Sequence, residues 1–404
     1  MPITEPFLFA LSVATLSLLL FNAHLFMQRA VKNQTYYPLA VCFWAIAVVL
    51  CQPIVKVLAP DFMIPALILS LPALLCIAPG FWLYVKGLTS NARWQFTKTE
   101  RAHFVLPAAG LIVAIIALLL PSDVKQGILM YGQDSILADA PAFVRKLTAA
   151  VLILTFALVL GWVIQSAFYL IKIIRQLHGY RKKLKDVFAS TEQKELKWLT
   201  GLLFAVGIAW VITAGNLILD NLFFPTTFAG PFNNTVLLVM VSCVATWGLR
   251  QKPGFEELYQ ETEQQAAIGN EFEASTKYQR SALTSEHAQQ IAAKIEYAML
   301  QDKLYLDASL SLPKLARHIH TSANYISQTL NETLGMSFFD YVNKYRVDAA
   351  KQQLAHTDDT VLNIAMNVGF NSKSAFYSAF KKHTELTPHQ FKKQACAGAG
   401  NTEG

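Results

Sequence analysis

Charge is what this 404-residue chain has least of: Asp, Glu, Lys and Arg make up 15% of it, against about a quarter in ordinary soluble domains. With 53% apolar residues and a mean hydropathy of +0.34, that shortage excludes a chain that is water-soluble throughout. Cysteine is scarce too. Of the five, Cys42, Cys51, Cys76 and Cys243 lie in apolar runs and Cys396 in a loose tail, with no C-x-x-C and no Cys/His metal spacing. A disulfide scaffold, a structural zinc and a redox pair are therefore excluded. Nor is there a nucleophile elbow, a phosphate loop, an H-E-x-x-H motif or a carboxylate pair on an apolar run, and the nine histidines do not cluster. The chain reads as no enzyme, with no cofactor and no metal.

The charge that is present is unevenly placed. Residues 1–254 hold 20 Lys/Arg and 10 Asp/Glu, whereas residues 255–404 hold 14 and 17. Seven stretches in the first part are long and apolar enough to read as membrane helices, since about 20 residues cross the hydrocarbon. They are Pro6–Met27, Tyr37–Ala59, Met63–Val85, Ala102–Leu120, Leu147–Ile174, Trp198–Phe223 and Asn234–Leu249. The first follows Glu5 rather than a basic segment and no small-residue cleavage site follows it, so it reads as retained. Lys and Arg fall fifteen against three on alternate connectors, with seven of them between 175 and 197. That bias places the amino terminus outside and the carboxyl part in the cytoplasm. The basic run Arg181–Lys185 follows a span directly, so topology and anionic lipid account for it.

Polar groups inside hydrocarbon are costly and mark functional positions. Asn22, His24 and Gln165 fall at similar depth toward the cytoplasmic side, and Lys56 and Asp220 near the outer face. These are the sensor candidates, set against snorkelling and plain interhelical amide bonds. Pro53, Pro72, Pro79 and Pro107 are expected to kink their helices. The outer connectors are too short for a folded sensor. Any stimulus is therefore expected to act on the bundle or its lipid.

From 251 to 283 the composition turns acidic, six Glu against Lys252, Lys277 and Arg280, after the helix-breaking Pro253 and Gly254. This reads as a solvated linker. Beyond Thr284 short helices succeed one another with no strand signal. Ile291, Ile295 and Met299 repeat at four-residue spacing. Leu312, Leu315 and Ile319 face inward behind Ser311, which is placed to cap. Ser322 caps the next helix, Gly335 stops it, and Ser337 with Asp340 forms a capping box for a long helix to about Ala355. A second pair follows, with Gly369 and Asn371 in its turn. Two helix–turn–helix units whose second helices start about 50 residues apart can enter successive major grooves, about 34 Å apart. Tyr325, Ile326, Leu330, Ala365, Val368, Phe370, Phe376 and Phe380 are spaced as core.

Residues 285–394 resemble the AraC/XylS-type DNA-binding domain. Most of the likeness lies in IAMNVGFNSKSAFYSAFKKHTELTP, Ile364–Pro388, which follows the family pattern I-A-x-x-V-G-F-x-x-x-S-x-F-x-x-x-F-K-x-x-x-G-x-x-P at nearly every position. Glu385 stands where the family has glycine, and His320 where its first turn has a small residue. KYQRSAL and the set YLD, NYISQTLN and FFDYVNKYR are similar to membrane-bound AraC-type regulators. The resemblance implies base readout by Asn324, Ser327, Gln328 and Asn331 from the first unit, and by Lys373, Ser374, Tyr377 and Ser378 from the second. Amides bond adenine and lysine bonds guanine. Ser322, Ser372, Lys381, Lys382, Lys392 and Lys393 suit phosphates. The net charge of 285–394 is only +2, which implies weak nonspecific affinity.

The fold expected is all-α: a seven-helix transmembrane bundle (1–250), the linker (251–283), a cytoplasmic domain of two helix–turn–helix units joined by a long helix (284–394) and a disordered tail (395–404). The function expected is a membrane-anchored, one-component transcription regulator in the bacterial inner membrane. Its partners would be double-stranded promoter DNA, the lipid bilayer, RNA polymerase, a second copy in a homodimer and a small or lipophilic ligand. A transporter or channel with a DNA-binding reporter tail is the alternative.

Overall fold

The apolar runs fold as helices, the form in which a single segment satisfies its own backbone hydrogen bonds in hydrocarbon. The computed structural model describes residues 6–131, 136–192, 194–208, 230–256 and 284–399, and among these it holds no strand. It divides into two units. One comprises Met1–Leu177 with Lys197–Tyr259, the other His178–Leu196 with Gln260–Gly404.

The first unit begins with α1 (Pro6–Lys32), α2 (Tyr37–Leu50), α3 (Gln52–Leu58) and α4 (Met63–Leu88). It continues with α5 (Val105–Leu118), α6 (Ser122–Tyr131), most of α7 (Ala142–Val187), α8 (Lys197–Ile208) and α9 (Gly230–Arg250). Among the described residues, four helical segments are long and apolar enough to cross a membrane, or five if α2 and α3 count as one bent span. The expected single span over 37–59 is thus a pair meeting at 50°, with Pro53 in the first turn of α3. Among the other prolines, Pro107 departs from the expected kink. Pro72 and Pro79 lie inside an uninterrupted α4, and Pro107 sits in the first turn of α5, where no intrahelical N–H is forfeited. Of the expected sixth span the described part is the apolar helix Lys197–Ile208, the rest lying outside the described residues, and the expected seventh falls within α9. Asp220 lies outside the described residues.

Glu100 is buried near the end of α4, held by the Lys86 ammonium at 2.7 Å. Its pairing is what makes its burial tolerable. His103 Nδ1 and the Tyr169 hydroxyl share a hydrogen bond of 2.7 Å in the same region.

The last turns of α7 and the connector that follows belong to the second unit, a boundary different from the expected break at 250. The rest of that unit is α10 (Ser285–Leu300), α11 (Leu312–His318), α12 (Ala323–Gln328), α13 (Phe338–His356), α14 (Val361–Asn367), α15 (Lys373–Thr384) and α16 (Pro388–Ala399). α12 continues into a π turn over Thr329–Thr333, and α16 carries residues 395–399, expected as tail, on as helix.

Two apolar cores share α13. Phe338, Tyr341 and Val342 pack with Ile295, Leu315, Ile326 and Leu330, whereas Val347, Ala350 and Leu354 pack with Ile364, Phe376 and Phe380. Each fully buried Phe contributes roughly 1.5–3 kcal/mol. One helix therefore fixes both helix–turn–helix units. The expected core positions are buried here except Tyr325, which is half-buried beside the first core.

Candidate nucleic-acid interface

Helix starts in the second unit are set by hydroxyl caps, each satisfying one orphan amide. Thr284, Ser322, Ser337, Thr360 and Ser372 accept from the amides of His287, Tyr325, Asp340, Asn363 and Ala375. Ser337 Oγ also bonds Asp340 Oδ2 at 3.1 Å. Ser311 departs from expectation. It makes no side-chain cap, because its buried, extended backbone is drawn into an antiparallel bridge with Phe188.

The two turns are closed the same way. After α11, the Thr321 amide bonds the Ala316 carbonyl and the His320 amide that of Arg317; after α14, Phe370 bonds Ala365 and Gly369 bonds Met366. Both are Schellman closures, which need a left-handed residue. Gly369 supplies it with φ +94°, but His320 does so at φ +50°. Glu385, where the family has glycine, is likewise left-handed, at φ +62°, and ends α15 with its amide on the Lys381 carbonyl. The two departures from the family pattern are thus two positions where a side chain bears a conformation that costs it about 1–2 kcal/mol. Gly369 is constrained further: a Cβ there would lie 2.6 Å from the Tyr305 carbonyl oxygen.

Of the first set of expected readers, Asn324 and Asn331 are exposed and Ser327 and Gln328 half-buried. Asn331 Nδ2 donates to the Ser327 carbonyl at 3.0 Å and Gln328 Nε2 to Glu332 at 2.9 Å. Base recognition here requires these intrahelical bonds to be exchanged. In the second set Lys373, Ser374 and Ser378 are exposed, Tyr377 is half-buried against Phe376, and the Lys373 ammonium lies 5.4 Å from the Tyr377 ring centre. The structure therefore keeps each set on one helical face.

The phosphate candidates divide. Ser322 and Ser372 sit at helix starts, and Lys381 and Lys393 are exposed. The Lys382 ammonium pairs with Asp340 at 2.6 Å. Lys392 donates to the carbonyls of Thr357 (3.1 Å) and Asp359 (3.0 Å), holding α16 to the end of α13.

Two residues, and the partner of a third, escaped sequence reasoning. Arg346 is fully buried. It donates from Nε to the Tyr305 carbonyl at 2.7 Å and from Nη2 to that of Asp307 at 2.9 Å. Burial lowers its pKa to about 10, so it stays charged at neutral pH. Asn371 Nδ2 reaches the Ala308 carbonyl at 3.1 Å, tying the second turn to the same loop. His383 has a buried Nε2 with no hydrogen-bond partner among the described residues, and burial pushes its pKa down, with Lys382 adding to the shift. Arg346 has the one legible signal, a lone cation on the apolar face of α13.

The sensor candidates are not gathered into one site. Asn22 is buried with its amide on the Leu18 carbonyl of its own helix, and His24 shares a bond with Gln28. Lys56 is exposed and lines a cavity of about 450 Å³ with Ser12, Thr15 and Gln52. Gln165 has a buried Oε1 without a partner among the described residues.

Two closed turns, two capped second helices and one shared α13 define a double helix–turn–helix domain. Residues 315–394 match the family described as helix-turn-helix domain. An uncharacterized HTH-type transcriptional regulator from Staphylococcus aureus (strain COL) is 32% identical over 113 residues, 28% of this chain and 14% of that protein. YtdP, an uncharacterized HTH-type transcriptional regulator of Bacillus subtilis, is 35% identical over 88 residues, 22% of this chain and 11% of its own length. The chain thus spans about one seventh or less of these curated relatives. Among solved structures, the C-terminal domain of AraT, a response regulator from Geobacillus stearothermophilus, is 26% identical over 28% of this chain and 88% of that one, with a TM-score of 0.24.

Proposed function

We propose that the protein is a membrane-anchored, one-component transcription regulator whose second unit binds promoter DNA through α12 and α15. The observation that carries this reading is the shared α13: a single helix, packed into both cores, orients two capped reading helices as one body. The apolar helices support the anchor. Ile153, Phe156 and Ile164 of α7 are 69%, 66% and 72% exposed, and a continuous apolar face of that kind requires lipid or a partner. In this reading seven spans cross the bacterial inner membrane with the amino terminus outside, and the bundle responds to a small or lipophilic ligand. The second unit works in the cytoplasm beside RNA polymerase, and pairing of two copies raises the local concentration of readers at adjacent sites.

Base readout belongs to Asn324, Ser327, Gln328, Asn331, Lys373, Ser374, Tyr377 and Ser378. Phosphate positioning belongs to Ser322, Ser372, Lys381, Lys382, Lys392 and Lys393. The test is genome-wide occupancy of the intact chain, followed by binding to the recovered site. Lys373→Ala is expected to cost about 1–3 kcal/mol at one base position. Loss of equal size on every sequence would make Lys373 a phosphate contact, and no enriched sites for the intact chain would refute the regulator.

A further inference from the structure

The connector after α7, legible in the sequence only as a basic stretch explained by topology, is built into the second unit. Phe188 and Ala189 are 4% and 1% exposed, and Ala189 lies in the same apolar core as Leu310, Leu312 and Val342. The Ala189 amide donates to the Leu310 carbonyl at 3.0 Å, next to the bridge between Phe188 and Ser311. Arg346 completes its fork here: Nη1 donates to the Ala189 carbonyl and to Ser190 Oγ, each at 3.2 Å.

The other side of the connector is fastened to the end of α7. The Tyr180 hydroxyl donates to the Lys194 carbonyl at 2.8 Å and Arg181 Nε to that of Glu195 at 3.1 Å. Thr191 Oγ1 bonds Glu195 Oε1 at 2.6 Å, and the Lys194 ammonium stands 4.6 Å from the centre of the Phe188 ring. A segment held on both sides transmits position; a solvated spacer cannot.

We propose that the loop over 304–311 and the buried Arg346 form a docking groove whose occupant is this chain's own segment 188–190, and that this docked connector couples the end of α7 to both helix–turn–helix units. The occupant is fixed by what it satisfies. Without residues 189 and 190, the only other acceptor for Arg346 Nη1 among the described residues is Asn343 Oδ1 at 3.4 Å, a poor shell for a fully buried cation. The same loop meets parts of both helix–turn–helix units. Ser311 opens α11, Asn371 bonds the Ala308 carbonyl, and Gly369 packs on the Tyr305 carbonyl. The Arg346 guanidinium also lies 5.5 Å from the centre of the Phe370 ring. A shift of the connector therefore has to move the loop, which leads into α11 of the first helix–turn–helix unit and packs against the turn of the second. The coupling part of the proposal rests on the regulator reading above; the docking part does not.

The test uses the full-length chain in detergent or native membrane. Peptide-resolved hydrogen exchange on the unsubstituted protein should show the Ala189 amide protected together with 304–311; exchange at 188–190 at random-coil rate overturns the docking. Phe188→Cys with Ser311→Cys, in a chain carrying a protease site within 262–268, should keep the two cleaved fragments joined on oxidation and release them on reduction. Fragments that separate in a protein still able to bind duplex also overturn it. Ala189→Arg, which sets a bulky like charge against Arg346, should weaken binding to a two-groove site by about fivefold or more while leaving binding to a single half-site unchanged. Equal affinities before and after the substitution on both sites overturn the coupling. Protection at 188–190 in a chain that binds no duplex refutes the regulator instead, so the two failures are distinct.

Discussion

Gly369→Ala tests the geometry of the second turn most directly. The residue sits at φ +94°, outside the left-handed well that alanine tolerates, and its Cβ would meet the carbonyl oxygens of Tyr305 at 2.6 Å and Leu306 at 2.9 Å. Those atoms are backbone, so no side chain can rotate out of the way. The left-handed strain costs about 1–2 kcal/mol, and the forced shift of the loop about 1–3 kcal/mol, the usual range for overpacking. Against this, alanine restricts the unfolded chain and returns about 0.4–1 kcal/mol. The net expectation is a loss of about 1–4.6 kcal/mol, centred at about 3 kcal/mol. The seven tryptophans all precede residue 250, so fluorescence does not see this unit. Peptide-resolved hydrogen exchange over α14 and α15 does, and about 3 kcal/mol corresponds to roughly a hundredfold faster exchange from the opened state. Peptides from α10 should change less, because their core lies on the other half of α13. An acceleration of less than about fivefold over α14 and α15 would refute the reasoning, because it would mean that the loop yields freely.

Two further outcomes follow from the same unit. Glu385→Gly relieves a left-handed glutamate at the end of α15. It should stabilise the 373–399 region by about 0.5–1 kcal/mol after the entropy glycine adds to the unfolded chain is deducted, read as slower exchange there; faster exchange would show that the Glu385 side chain is stabilising. His383 titrates in the opposite sense to a paired histidine. Its folded-state pKa lies below the ordinary 6.5 because its ring is buried, so the unfolded state binds the proton more readily. The stability it contributes is present above about pH 6.5 and is lost as pH falls through the lower, folded-state pKa. The urea midpoint of peptides 338–384 should therefore drop between neutral pH and pH 5, and His383→Leu should flatten that drop; an unchanged slope would assign it to other groups.

Local signals carried most of the second unit. Hydroxyls at Ser322, Ser337 and Ser372 mark helix starts because the cap and the amide it satisfies lie three residues apart, and Gly335 and Gly369 mark stops for the same local reason. Core positions followed from four-residue spacing on helices whose partners are near in sequence. What failed was non-local. Ser311 carries the cap chemistry, yet its backbone is claimed by Phe188, more than a hundred residues earlier. Local charge marks Lys382 and Lys392 but does not announce their partners within the chain, Asp340 and the carbonyls of Thr357 and Asp359. In the first unit, proline propensity alone predicted four kinks. Pro107 falls in the first turn of α5, where it forfeits no intrahelical N–H and need not bend the helix.

The placement of Arg346 explains why the connector belongs with the reader. A guanidinium has five donors and no acceptor, so a buried one has to be surrounded by oxygens that nothing else has claimed. Helix interiors offer none, since their carbonyls are already paired. The supply must come from irregular backbone, and here it comes from the 304–311 loop and from the connector after α7. The loop by itself satisfies Nε and Nη2. The third corner needs residues 189 and 190, so the second unit is complete only when a segment encoded between two apolar helices is in place. Removing only one side of this arrangement is therefore the costly change, because it leaves the buried guanidinium short of acceptors.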